Sequence, residues 1–196
     1  MQYIPSESSL FYYEELTVSV KLIEDENANK LYRGLYRDKI EVMKKVDNPD
    51  VANTYKGKNE ACSDEYDLLI ITTNSLQKEF EKLKECHDNR GVRTITKTLS
   101  EIGDTAEEIR DYIRNAYMNM GIDYVLIGGD VDVVPAKMLW VSGLDENIYP
   151  YDDYMPSDVY YACLDGTFNY DGDSKWGEPT DGDGGKDVDL LAEVYV

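Results

Sequence analysis

The densest apolar runs in this chain are short, and stretches of helical period separate them. Tyr66-Asp67-Leu68-Leu69-Ile70-Ile71-Thr72-Thr73 is a continuous apolar run, the pattern of a strand covered on both faces. Ser75 follows as a candidate N-cap, and Leu76, Phe80, Leu83 and His87 fall on one stripe of a predicted helix over 76–88. Asn89-Arg90-Gly91 closes that helix, with Gly91 at the left-handed position. Val92–Thr96 reads as a second strand. Asp104 or Thr105 caps a second helix running to about Met120, with Ile109, Tyr112, Ile113 and Tyr117 inward and Gly121 at its end. Asp123–Gly128 is a third strand. Strand–helix–strand–helix–strand with short connections predicts an α/β fold, a mostly parallel sheet of about four strands flanked by helices.

The flanks are less regular. Residues 1–24 read as extended, with Leu16, Val18, Val20 and Leu22 alternating with Thr17, Ser19 and Lys21. Helix formers occupy 27–46, with Leu31, Leu35, Ile40 and Met43 apolar and Gly34 as a break; Asn48-Pro49 stops the run. Residues 47–65 read as a polar linker. Beyond Pro135 the spacing predicts a tyrosine- and acid-rich loop over 138–157, a short strand over 158–162 and a Gly/Asp loop over 165–189. A last strand over 190–196 points to further polypeptide beyond Val196.

Composition narrows the function. The chain has 196 residues, one ordinary domain or a compact unit with a leader. Its formal charge of −20 repels phosphate backbones, which excludes nucleic-acid binding. From Val141 to Val196 there are 14 Asp and Glu against 2 Lys and no Arg, either a solvated surface or a place for a hard cation. No apolar run is long enough to span a membrane, and the N-terminus has no secretory signal pattern. Cys62, Cys86 and Cys163 form no CxxC pair, and an odd count excludes a full disulfide framework. They read as free thiols in the core.

Candidate chemistry is sparse. The single histidine, His87, sits beside Cys86 in a predicted helix, where adjacent side chains diverge by about 100° and make a poor dyad. No G-x-S-x-G elbow and no phosphate loop is present. Gly128-Gly129 reads as close backbone passage at a strand end, and Asp130 there is placed to hold a cation or orient a loop. Asn169-Tyr-Asp171-Gly-Asp173-Ser-Lys-Trp-Gly-Glu178 resembles half a calcium loop, with oxygen ligands at alternate positions. Ser174 replaces the glycine such a loop needs, and Gly-Asp turns are also ordinary loop chemistry. A second acidic cluster runs through Asp181, Asp183, Asp187 and Asp189.

Several segments fall in the order found in gingipain-type cysteine peptidases, whose catalytic part is caspase-like. They are Tyr66–Thr73 with its helix and Asn-Arg-Gly turn, Thr105–Tyr117, Tyr124–Asp130 with Val134-Pro135-Ala136, Ser157–Ala162 with Leu164-Asp165-Gly166, and Glu193–Val196. The resemblance covers about 64–196 and leaves 1–63 as a leader of strand, helix and polar linker. It implies a secreted or cell-surface endopeptidase acting on protein or peptide substrates, with structural calcium. It also implies that the catalytic His and Cys lie in a second, C-terminal subdomain beyond this chain, so no catalytic residue is carried over. The residues here resemble the first, supporting subdomain. The metal candidates are Asp130, Asp171, Asp173, Glu178 and Glu193.

Two rivals stand beside this reading. A non-enzymatic calcium-binding extracellular module would present Tyr149, Tyr151, Tyr154, Tyr160 and Tyr161 to a partner or glycan. A flavodoxin-like binding domain would need the phosphate loop that is missing.

Overall fold

The computed structural model describes residues 2–12, 15, 17–19, 21, 31–55, 65–144, 150–182, 188 and 190–196. Its centre is β3 (Leu68–Thr72), all five residues of which are buried. It pairs in parallel with β4 (Thr94–Thr98) on one side and β5 (Tyr124–Gly128) on the other, giving the order β4-β3-β5. The unbroken apolar run therefore occupies the one strand with neighbours on both edges and cover on both faces. Leu69 and Ile71 join the main core, and the Thr72 hydroxyl donates to the Gly128 carbonyl at 2.6 Å.

Helix α2 (Gln77–Asp88) follows β3, and α4 (Ala106–Met120) precedes β5. Thr105 caps α4: its hydroxyl accepts from the Glu108 N–H at 3.2 Å, and the Glu108 carboxylate accepts from the Thr105 N–H at 3.2 Å. The helix buries Ala106, Ile109, Ile113 and Ala116, and Gly121 ends it at φ +84°. Tyr112 and Tyr117 pack at the margin of this core. A single helical turn, α3 (Leu99–Ile102), leads from β4 toward α4. The expected stripe on α2 is weaker than its spacing predicts. None of its residues is buried and Leu83 is 38% exposed. Ser75 does not cap it: Leu76 takes that position, and the Ser75 hydroxyl pairs with Thr73 at 2.9 Å.

The structure corrects the reading beyond Pro135. Residues 138–144 and 150–157 belong to paired strands, β6 (Lys137–Leu144) antiparallel to β7 (Pro150–Ser157), with eight pairs from Lys137↔Ser157 to Leu144↔Pro150. Their polar residues disguised them as loop. Residues 159–162 form a helical turn, α5 (Val159–Ala162), with Tyr160 and Tyr161 both buried. On a strand, neighbours face opposite sides; a turn lets both rings enter one core. The final segment contributes one parallel bridge, Tyr195 to Tyr124, rather than a ladder. The N–H groups of Glu193 and Val194 turn instead to the Ala162 carbonyl at 3.0 and 3.3 Å.

In the leader, β1 (Gln2–Ile4) pairs antiparallel with β2 (Ser9–Phe11). Residues 17–19 form no strand, and Leu16, Val20 and Leu22 lie outside the described residues. The predicted 27–46 helix is shorter, α1 (Tyr36–Lys45), because Gly34 sits at φ +72° just before it. The supposed linker includes a 3₁₀ turn over Pro49–Thr54, and Tyr55 packs edge-on against Tyr32 at 4.9 Å.

Candidate functional site

In a parallel sheet all strands point one way, so the carboxyl ends open together and chemistry gathers there. Here β5 ends in a tightly packed glycine pair. A Cβ on Gly128 would lie 2.6 Å from Phe80 Cζ and 3.1 Å from the Ile71 carbonyl, and one on Gly129 would lie 2.6 Å from Val133 Cγ1. The two glycines let α2 and the next turn approach the strand end. Asp130 shapes that turn: its carboxylate accepts from the Val131 N–H at 2.7 Å, and its carbonyl from Val133 and Val134 at 2.7 and 2.9 Å.

A cavity of about 230 Å³ opens at this point, lined by Ile127, Gly129, Asp130, Pro135, Asp158 and Tyr161 among others. Asp130 and Asp158 are exposed at it. The Tyr161 hydroxyl donates to the Pro135 carbonyl. Burial, aided by the Asp158 charge, pushes the Tyr161 phenol far above the ordinary tyrosine range, so it stays a neutral donor.

The acidic loop is built around a residue whose role the sequence did not reveal. Asp181 is fully buried. One carboxylate oxygen accepts from the Tyr170 N–H at 2.6 Å; the other accepts from Gly177 and Glu178 at 2.8 and 2.9 Å. Three backbone donors converge on one side chain and draw the loop into a knot. The only trace in the sequence is an Asp just after the Gly177-Glu-Pro-Thr turn.

On the outside of this knot, Asp171, Asp173 and Glu178 place carboxylate oxygens within 4.8 Å of one another. The Asn169 Oδ1 atom is buried without a hydrogen-bond partner among the described residues, and its amide nitrogen donates to the Asp173 carbonyl at 2.8 Å. An all-oxygen group of this kind suits a hard cation. Lys175 already supplies one positive charge, 3.7 Å from Glu178. Asp130 and Glu193 are not part of this group. The Glu193 carboxylate accepts from the Leu164 N–H at 2.7 Å and ties the final segment to the residues after α5. Asp183, Asp187, Asp189 and Tyr149 lie outside the described residues.

The loop stands on an aromatic seat. Tyr160 meets Phe168 and Trp176 edge-on at 5.4 and 6.0 Å. Lys137 lies 3.1 Å over the Trp176 ring and pairs with Glu107 at 2.6 Å. Arg110 of α4 lies 4.8 Å from the Tyr160 ring centre and donates to the carbonyls of Cys163 and Gly166 at 2.5 and 3.1 Å.

Cys163 is buried as expected, Cys86 is exposed instead, and Cys62 lies outside the described residues. His87 lines an apolar groove of about 620 Å³ with Leu68, Leu83, Val92, Tyr124 and Tyr195, toward the amino half of the sheet. Among the described residues no helix is long and apolar enough to cross a membrane.

Comparison with known proteins gives one result: the model of a family described as peptidase family C25 matches residues 62–196. No curated protein and no solved structure matches the chain.

Proposed function

Because the chain belongs to peptidase family C25, the gingipain family of cysteine peptidases, we propose that residues 64–196 are the first, supporting subdomain of a secreted or cell-surface cysteine endopeptidase. Residues 1–63 are its leader. The observation that carries this reading is the sheet's carboxyl end. It has a cavity, a packed glycine pair and two carboxylates, Asp130 and Asp158, but His87, the chain's single histidine, lies in α2 at the other end of the sheet. Peptide cleavage by a thiolate needs a base within hydrogen-bond reach and donors for the oxyanion. A second, C-terminal subdomain would supply the Cys and His, and this one would hold it in place beside the protein substrate.

Purified chain is expected to show no thiol-dependent hydrolysis of a broad panel of fluorogenic peptides. A source reading frame that continues past Val196 into a strand ending in His-Gly and another ending in Cys supports the proposal. A stop codon at that point, or thiol-dependent cleavage by this chain alone, overturns it.

The convergence of Asp171, Asp173 and Glu178 supports a structural calcium ion in the loop, and the same loop carries the Asn169 oxygen, which has no hydrogen-bond partner among the described residues. The ion would neutralise the carboxylates and stiffen the segment carrying Trp176. With calcium at a hundred times its dissociation constant, the folded state would gain about 2.7 kcal/mol. Thermal unfolding in calcium, magnesium and chelator measures this. The gain is expected with calcium and should vanish in the Asp171→Asn/Asp173→Asn double variant. An equal gain in that variant places the ion elsewhere.

A further inference from the structure

The leader grips the sheet at the end opposite the cavity. Arg33 is 5% exposed. Its Nη1 donates to the Ile122 carbonyl at 2.9 Å, and its Nη2 to Asp38 and Asp123 at 2.6 and 2.9 Å. Its Nε donates to the second Asp38 oxygen at 3.1 Å, and its guanidinium lies 4.0 Å from the centre of the Tyr117 ring. Beside it, Arg37 donates to Asp67 at 3.0 Å and lies 3.5 Å from Asp123. Asp67 also takes the Arg93 guanidinium at 2.6 Å; that bond, above all, holds the Asp67 carboxyl below its usual range. The Tyr55 hydroxyl donates to Asp38 at 3.3 Å, and Leu35 is buried.

Asp67, Arg93 and Asp123 stand just before β3, β4 and β5. Leader residues 31–55 thus engage the residues that open β3 and β5 directly, and reach Arg93 before β4 only through Asp67; none of them lines the carboxyl-end cavity. We propose that residues 31–55 form a non-covalent clasp on the amino end of the sheet. The clasp stays bound when the chain is cut within 56–64, and it leaves the carboxyl end open. Cutting there neither releases the leader nor is needed to unblock the cavity.

The contacts give the physical reason. A guanidinium buried at this depth holds only if its donors are matched, and Arg33 matches them to two carboxylates and a carbonyl. Two of those partners, Asp123 and Ile122, belong to the sheet side, so this grip does not depend on the polypeptide joining Tyr55 to Glu65.

The test is made on the full chain with residues 57–63 replaced by the recognition sequence of a site-specific endopeptidase. After complete cutting, the two fragments are expected to elute together in size-exclusion chromatography at micromolar concentration and neutral pH. Arg33→Gln should weaken their association roughly a hundredfold, because it leaves the carboxylates without their buried partner. Asp38→Asn, which keeps Arg33 and its sheet-side bonds, should weaken it less. Circular dichroism of the uncut variants checks that both fold. Separate elution of the wild-type fragments overturns the proposal. So does an Arg33→Gln leader that binds as tightly as the wild type.

Discussion

Asp181→Ala is expected to remove about 3 kcal/mol of folding stability or more, the scale set by buried donors that lose their acceptor. The loss has two sources. The carboxylate is fully buried and accepts three backbone N–H groups, and alanine leaves all three donors without a partner away from water. The loop over 169–181 also has few apolar side chains of its own beyond Trp176, so hydrogen bonds carry most of its shape. Asp181→Asn should recover little, since its NH₂ group faces an N–H donor. Urea unfolding followed by tryptophan fluorescence measures the effect. A loss under about 1 kcal/mol, the worth of one ordinary hydrogen bond, would show that water replaces the carboxylate without penalty.

Arg110→Met is expected to cost about 3 kcal/mol, as charge-assisted hydrogen bonds and a ring contact are lost together. Its Nε and Nη2 both donate to the Cys163 carbonyl, at 2.9 and 2.5 Å, and Nη2 also reaches Gly166. Methionine keeps much of the stem and removes the fork. Arg110→Lys should rescue little, because an ammonium cannot reproduce a planar donor pair stacked on Tyr160. Hydrogen exchange should rise selectively at residues 163–168. Unchanged protection there would move the support of this segment to the aromatic rings.

Both residues hold the part of the chain where the sequence was hardest to read, Asp181 from within it and Arg110 from α4, and it was hard to read for one reason. The β3–α2–β4–α4–β5 core was legible because burial imposes a pattern: β3 is buried throughout and apolar but for Thr72, and α4 carries its inward residues between Thr105 and Gly121. Past Pro135 the chain is held by single polar side chains gripping backbone atoms, and such bonds impose no pattern. Asp181 and Arg110 look like any other charge in a chain that is 31% charged. The β6–β7 pair was hidden for a related reason, since Asp152, Asp153 and Pro156 in β7 are residues an exposed edge strand uses to discourage pairing. Of the five metal candidates, three come together because Gly172 and the Asp181 knot bend their loop. Asp130 and Glu193 serve as backbone acceptors in the fold.

The Arg33 network also bears on the order in which the protein assembles. Its bonds to Ile122 and Asp123 join residues 89 and 90 positions apart, whereas β3 and β4 are brought together across one short helix. Closing the longer loop loses more chain entropy, and its carboxylate and carbonyl partners exist in place only once β5 has added to β3. The leader is therefore made before the sheet it grips, and its Arg33 bonds can form only after β5 has joined β3. Until β5 is made, Arg33 has only its local partner Asp38, and its full set of bonds marks the joining of β5 to β3.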